Sequence, residues 1–189
     1  MTTNDTLALA TRAAHDWGLA SWLGGTMFGK FAHNPSVAKI SDKSERGKVV
    51  NAAWNGYNAI NTLSLAAVGL GWLGARATET RPDKLTDRER SLASAKDVFV
   101  ATAVVSGALS GIQGARLARQ APEGAVPIER GNEPAPDTPR SAARIQRSLG
   151  VLGNVNIAAG VSLVIVNAVI AQIDHSRPPL RRALFRRSA

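Results

Sequence analysis

From Val49 to Ala75 the chain carries no Asp, Glu, Lys, Arg or His. Two more stretches are equally bare, Val98 to Ala115 and Leu149 to Ile173. A helix needs roughly 20 apolar residues to cross a hydrocarbon core ~30 Å thick, and each stretch is close to or above that length. A fourth, Trp17 to Gly29, falls short of it and continues through Lys30 to His33. It spans only if the Lys30 ammonium snorkels to the interface on its aliphatic stem. A soluble helix carries charge along one face. Here nearly all Lys and Arg lie between the bare stretches and none within the three long ones. The pattern predicts an all-α integral membrane four-helix bundle, with spans at about 13–33, 49–75, 97–117 and 149–173.

Composition narrows the chemistry. The 189 residues include no cysteine, which removes disulfides, thiolate metal sites and a cysteine nucleophile. A hydrophobic share of 44% is too high for a disordered chain. The net charge of +9 calls for a polyanionic partner, nucleic acid or an anionic membrane surface. No Walker or dinucleotide glycine loop, no GxSxG and no HExxH occurs, so the expectation is a non-enzyme without cofactors. The opening MTTNDTLALA lacks a basic, then apolar, secretory pattern, so the first helix is expected to stay in the mature protein.

Local punctuation sets the helix ends. Pro35 disfavours helix in the residue before it, which places the first stop near Asn34. Ser41 and Asp42 are caps for the second helix. Thr86 and Glu89 fit a capping box, which starts the third helix two to three turns before its apolar stretch. Thr138 with Pro139 at the first helical position starts the fourth, so helices three and four extend beyond the bilayer. Between them, Gln120 to Pro139 holds five of the nine prolines and reads as a mobile, irregular linker.

Orientation follows from the basic residues. Twelve Lys and Arg fall on the side of both termini and ten on the other, and the dense tail adds to that bias, so both termini are expected in the cytoplasm. Trp17 and Trp72 then sit at the cytoplasmic interface, with Trp54 and Tyr57 at the outer one. The tail, residues 176–189, carries Arg177, Arg181, Arg182, Arg186 and Arg187 and no acid. It is expected to bind anionic headgroups of a multi-pass protein's own cell membrane, at about 1 kcal/mol per Arg. It has no aromatic platform or known nucleic-acid fold that would favour nucleic acid instead.

The spans carry polar side chains at helical spacing. Asn51, Asn55, Asn58 and Asn61 share one face of the second helix, and Ser106, Ser110 and Gln113 one face of the third. Asn154, Asn156, Ser162, Asn167 and Gln172 belong to the fourth. Carboxamides do not face lipid unpaired, so these residues are expected in the bundle interior. There they serve as interhelical hydrogen bonds, each worth about 0.6–2 kcal/mol, or as the lining of a hydrated path or cavity. Ala103, Gly107 and Gly111 recur every four residues, as do Gly25 and Gly29, and are read as close helix packing.

His15-Asp16 and Asp174-His175 come to the same end of a four-span bundle. Two imidazoles and two carboxylates there are a candidate metal or proton site, although no metal-specific spacing is present. The first span also reads His15-x6-Trp22-x-Gly24-Gly25. In this it resembles the opening helix of small four-span bacterial membrane proteins, including relatives of the copper-resistance D type. The resemblance covers about a dozen residues and implies the architecture. Copper handling needs soft ligands, and the chain departs there, with no Cys and only Met27 besides Met1.

The function expected is an accessory or structural subunit of a larger membrane assembly, partnered by a membrane protein or a second copy. One alternative is a small polar-solute or ion transporter or channel using the Asn-lined interior. Another is a proton- or metal-handling subunit using His15, Asp16, Asp174 and His175.

Overall fold

The computed structural model describes residues 3–78, 80 and 85–176. Four long helices make up most of them: α1 (Thr3–Phe28), α2 (Lys43–Thr78), α3 (Asp87–Ala118) and α4 (Arg140–Ser176). Asp42 precedes α2, and its Oδ1 accepts the amides of Ser44 at 2.8 Å and Glu45 at 2.9 Å. Thr86 and Glu89 close the expected capping box, each accepting the other's backbone amide.

Two boundaries differ from expectation. The first helix does not stop at Asn34. It widens into a π-helical turn at Gly29–His33, then continues through Asn34–Ser36 and a 3-10 turn at Val37–Lys39. Pro35 falls at the start of the short turn after the π segment, where its missing amide does little harm. Thr138 does not cap α4. Its hydroxyl donates to the Pro127 carbonyl at 2.7 Å, while the Pro139 carbonyl accepts the Ala143 amide.

The Pro-rich segment is folded, not a mobile linker. A 3-10 turn at Pro122–Gly124 leads into an antiparallel hairpin of β1 (Ile128–Arg130) and β2 (Glu133–Pro134). Val126, Ile128 and Ala135 are buried, with β1 packed on α2 and β2 on α4, which anchors the segment to the bundle. Its prolines lower the entropy lost on ordering. Gly131, at φ 55, makes the hairpin turn against Asn34, where any Cβ would be strained. The hairpin is tied to the start of α2 through Lys43, which donates to Glu129, and Arg46, which donates to the Glu129 carbonyl at 2.7 Å. The Lys43 bond holds the Glu129 carboxyl below its usual pKa.

α1 packs closely on α2, and α3 on α4; the other seams are lighter. Close approach of α1 and α2 rests on glycine. A Cβ at Gly18 would lie 2.6 Å from the Ser64 carbonyl oxygen, and one at Gly71 2.7 Å from that of Thr11. The core gathers Leu19, Trp22, Leu65, Val68, Trp72, Val100, Ala103 and Leu163. The expected aromatic belt is only partly present. Trp17 is exposed, but Trp72 is buried. Trp54 donates to Asn34 Oδ1 at 3.4 Å and Tyr57 to the Ser21 carbonyl at 2.6 Å.

Two helices among the described residues are long and apolar enough to cross a membrane: α3, and Arg140–Ile173 within α4. α1 and α2 fall short of that standard. α1 carries Arg12, His15 and Asp16 ahead of its short apolar run, and α2 has four asparagines within its long one.

Candidate functional site

α2 and α3 do not close on each other along their whole length. Toward the hairpin they leave a cleft of about 200 Å³. Asn51, Asn55, Asn58 and Asn61 of α2 line it, opposite Ser110, Gly111 and Gly114 of α3. Gln146, Gly153 and Asn156 of α4 form a further side, Trp22 and Lys30 belong to the α1 region, and Gly124, Val126 and Ile128 come from the Pro-rich segment. The cleft is open: Asn55 and Asn58 are exposed, and Asn51 and Asn61 half-buried.

The α2 asparagines share a face, as their spacing requires, but they are not glue. Asn55, Asn58 and Asn61 have no side-chain hydrogen bond within the described residues, and Asn51 reaches the Glu123 carbonyl only at 3.5 Å. Gln146 is wholly buried, and its Oε1 has no partner. Its Nε2 donates to the Pro127 carbonyl at 3.3 Å.

The α3 and α4 residues behave otherwise. The Ser106 hydroxyl donates to Asn156 Oδ1 at 2.5 Å, and Asn156 Nδ2 donates to Ser110 Oγ at 3.1 Å. Gln113 Nε2 donates to Ser148 Oγ at 3.3 Å. Asn156 is thus the α4 member of this network, and Asn154, expected inside, is exposed on the outer surface. The small-residue stripe divides too. A Cβ at Gly107 would run into Leu65, so that position is packing; one at Gly111 would meet nothing within 4 Å.

At the other end of the bundle the structure assembles a cluster that spacing did not reveal. His15 is buried, with Nδ1 2.8 Å from the Val68 carbonyl oxygen, to which it donates, and Nε2 without a hydrogen-bond partner among the described residues. Its ring stands 6.4 Å from that of Trp72. The Trp72 indole donates to Asp97 Oδ1 at 2.7 Å, and Arg76 pairs with Asp97 Oδ2 at 3.0 Å. The buried Lys96 ammonium sits 4.1 Å from the Trp72 ring centre, a cation–π contact. Asn167 Nδ2 donates to Asp16 Oδ1 at 3.1 Å. Arg76 is the first charge after one bare stretch, and Lys96-Asp97 the last before the next. That flanking position was the available signal.

Asp174 and His175 lie on α4 about two turns beyond Asn167, where His175 is exposed while His15 is buried. No group of three or more His, Asp or Glu among the described residues is arranged to hold a metal ion. Arg177, Arg181, Arg182, Arg186 and Arg187 lie outside the described residues. No family model, curated protein or solved structure matches this chain.

Proposed function

We propose that the chain is an integral membrane four-helix bundle and a non-enzymatic accessory or structural subunit of a larger membrane assembly. One observation carries this: the apolar stretches face outward. The apolar windows of α3 and α4 are only 22% and 28% buried within the bundle, whereas the core helix of a soluble protein would hide them. Leu63 and Leu70 on α2, Phe28 on α1, Val105 on α3 and Ile165 on α4 are all exposed. A soluble monomer rarely exposes contiguous apolar surface beyond a few hundred Å². Lipid covers such faces on all four helices, with both termini in the cytoplasm and the tail arginines on anionic headgroups. The resemblance of the first span to four-span bacterial membrane proteins agrees with this architecture. A membrane protein or a second copy is the partner.

The test is extraction from native membranes. The protein should resist an alkaline carbonate wash and leave in mild detergent with a stoichiometric partner. Release by carbonate overturns the membrane reading, and a protein that runs alone in every mild detergent overturns the subunit reading.

The Asn-lined cleft favours a second reading, in which the bundle takes up a small polar solute. Beyond Asn61 the bundle is filled by Trp22, Leu65, Val68 and Leu163, so this is a blind site and not a through-path. A proton- or metal-handling role for His15, Asp16, Asp174 and His175 has no such observation behind it.

A further inference from the structure

We infer that the cleft binds a small hydroxyl-bearing anion, a polyol phosphate, either free or as a lipid headgroup. The inference deepens the second reading above and rests on it.

The space itself is the first observation. Gly111, Gly114 and Gly153 line the cleft, and a Cβ on any of them would meet nothing within 4 Å. Glycine inside a helix is destabilising relative to alanine. Gly18, Gly71 and Gly107 have packing reasons for their missing side chains. These three have none from the chain itself, and their effect is to keep the cleft wide. About 200 Å³ is far more than the ~10–15 Å³ one water requires. It is less than the roughly 300–1,000 Å³ of a site for a drug-sized ligand.

The lining defines the chemistry. Asn55, Asn58, Asn61 and the buried Gln146 Oε1 present amide donors and carbonyl acceptors without partners. Hydroxyl groups satisfy both kinds at once, since each donates one hydrogen and accepts on its oxygen. From Asn51 to Asn61 the row extends about 15 Å along α2, longer than a lone phosphate and suited to a short polyol chain. Lys30 is the only charged residue among the described lining, and no carboxylate among the described residues pairs with it. An ammonium lining the same cleft as unpaired carboxamides selects an anion over a neutral sugar.

The full chain, purified in neutral detergent, tests this. The probes are glycerol 3-phosphate, glycerol, inorganic phosphate, and mixed micelles of phosphatidylglycerol or phosphatidylcholine. Saturable binding of glycerol 3-phosphate supports a free solute, and binding of phosphatidylglycerol alone supports a lipid headgroup. In either case Lys30→Gln should weaken binding about tenfold. Gly111→Leu should abolish it while the helical signal and melting stay near wild type. Should Gly111→Leu fail to fold, Gly153→Leu fills the cleft from the other helix. No binding above glycerol and phosphatidylcholine overturns the proposal. So does equal binding of inorganic phosphate, binding indifferent to both variants, or a co-purified protein that crosslinks into the cleft through Asn58→Cys. A carbonate-resistant protein that binds none of the probes loses the ligand and keeps the membrane reading; release by carbonate removes that reading instead.

Discussion

The two ends of the bundle use polar side chains in opposite ways. At one end Asp16, Trp72, Arg76, Asp97 and Asn167 bond across the four helices, and Lys96 lies on an indole face. At the other end Asn55, Asn58 and Asn61 stand unbonded around an open cleft. The residue types do not account for the difference, because Asn156, on the α4 side of the same cleft, is as much a carboxamide as Asn58 and is bonded on both ends, where α3 and α4 pack closely. Backbone separation does. Gly18 and Gly71 let α1 and α2 touch, and the core residues near them close the seams. Near the hairpin no side chain fills the space facing Gly111 and Gly114. A polar residue in an apolar helix becomes glue or cleft lining according to how near the next backbone comes.

The largest effect that tests this contrast is at Trp72. Trp72→Ala empties a buried site, removes the Asp97 hydrogen bond and takes the ring from Lys96. A loss of about 3–5 kcal/mol is expected, read as a lower melting temperature in detergent. Trp54→Ala, at the cleft end, removes a half-buried ring and should lose clearly less. Equal losses would break the comparison.

Glycines give the next test. Gly71→Ala places a Cβ against backbone atoms of Thr11 and His15, which cannot yield as a flexible side chain does. Overpacking of about 1–3 kcal/mol is expected. Gly111→Ala meets no atom and should stabilise α3 by up to about 1 kcal/mol through helix propensity alone. The same substitution thus changes sign between the two ends, and thermal unfolding of the pair measures it directly.

Helix number, the caps of α2 and α3 and the shared faces of the asparagines and serines were legible in the sequence because each follows from spacing within one helix. Whether those faces close was not, because it depends on distances between helices. Asn55, Asn58 and Asn61 look like glue by residue type, and so do Ser106 and Ser110, but of these only the serines meet a side-chain partner on another helix. Lys96 and Asp97 are, in the sequence, only the last charges before a bare stretch, and it is α2 that brings Trp72 and Arg76 beside them. The Pro-rich segment looked mobile because composition reports entropy and is silent on burial. Val126 and Ile128, on either side of Pro127, are what anchor it.

A third pair of substitutions sharpens the contrast at smaller scale. Asn156→Leu removes bonds to Ser106 and Ser110 and should lose about 0.6–2 kcal/mol. Asn58→Leu removes no bond and should leave stability unchanged while altering the cleft. A comparable loss at Asn58 would mean that its carboxamide is paired, and the cleft would then not be a site.

The smallest effect concerns the hairpin beneath the cleft. The Lys43 ammonium holds the Glu129 carboxyl below its ordinary value of 4.5. A group whose folded pKa is lowered contributes fully above its unfolded pKa, and the contribution fades as pH falls through the lower folded value. Above about pH 5 the tether is therefore intact. In more acidic solution Glu129 protonates, and Lys43 and Arg46 lose their carboxylate. Hydrogen exchange of the hairpin amides, corrected for intrinsic rate, should quicken in that range relative to α4. Glu129→Gln should remove the pH dependence and leave the hairpin at its acid-side protection throughout. A hairpin equally protected on both sides of the transition would show that Val126, Ile128 and Ala135 hold it without the ion pair. The floor of the cleft would then be as fixed as the ionic end of the bundle.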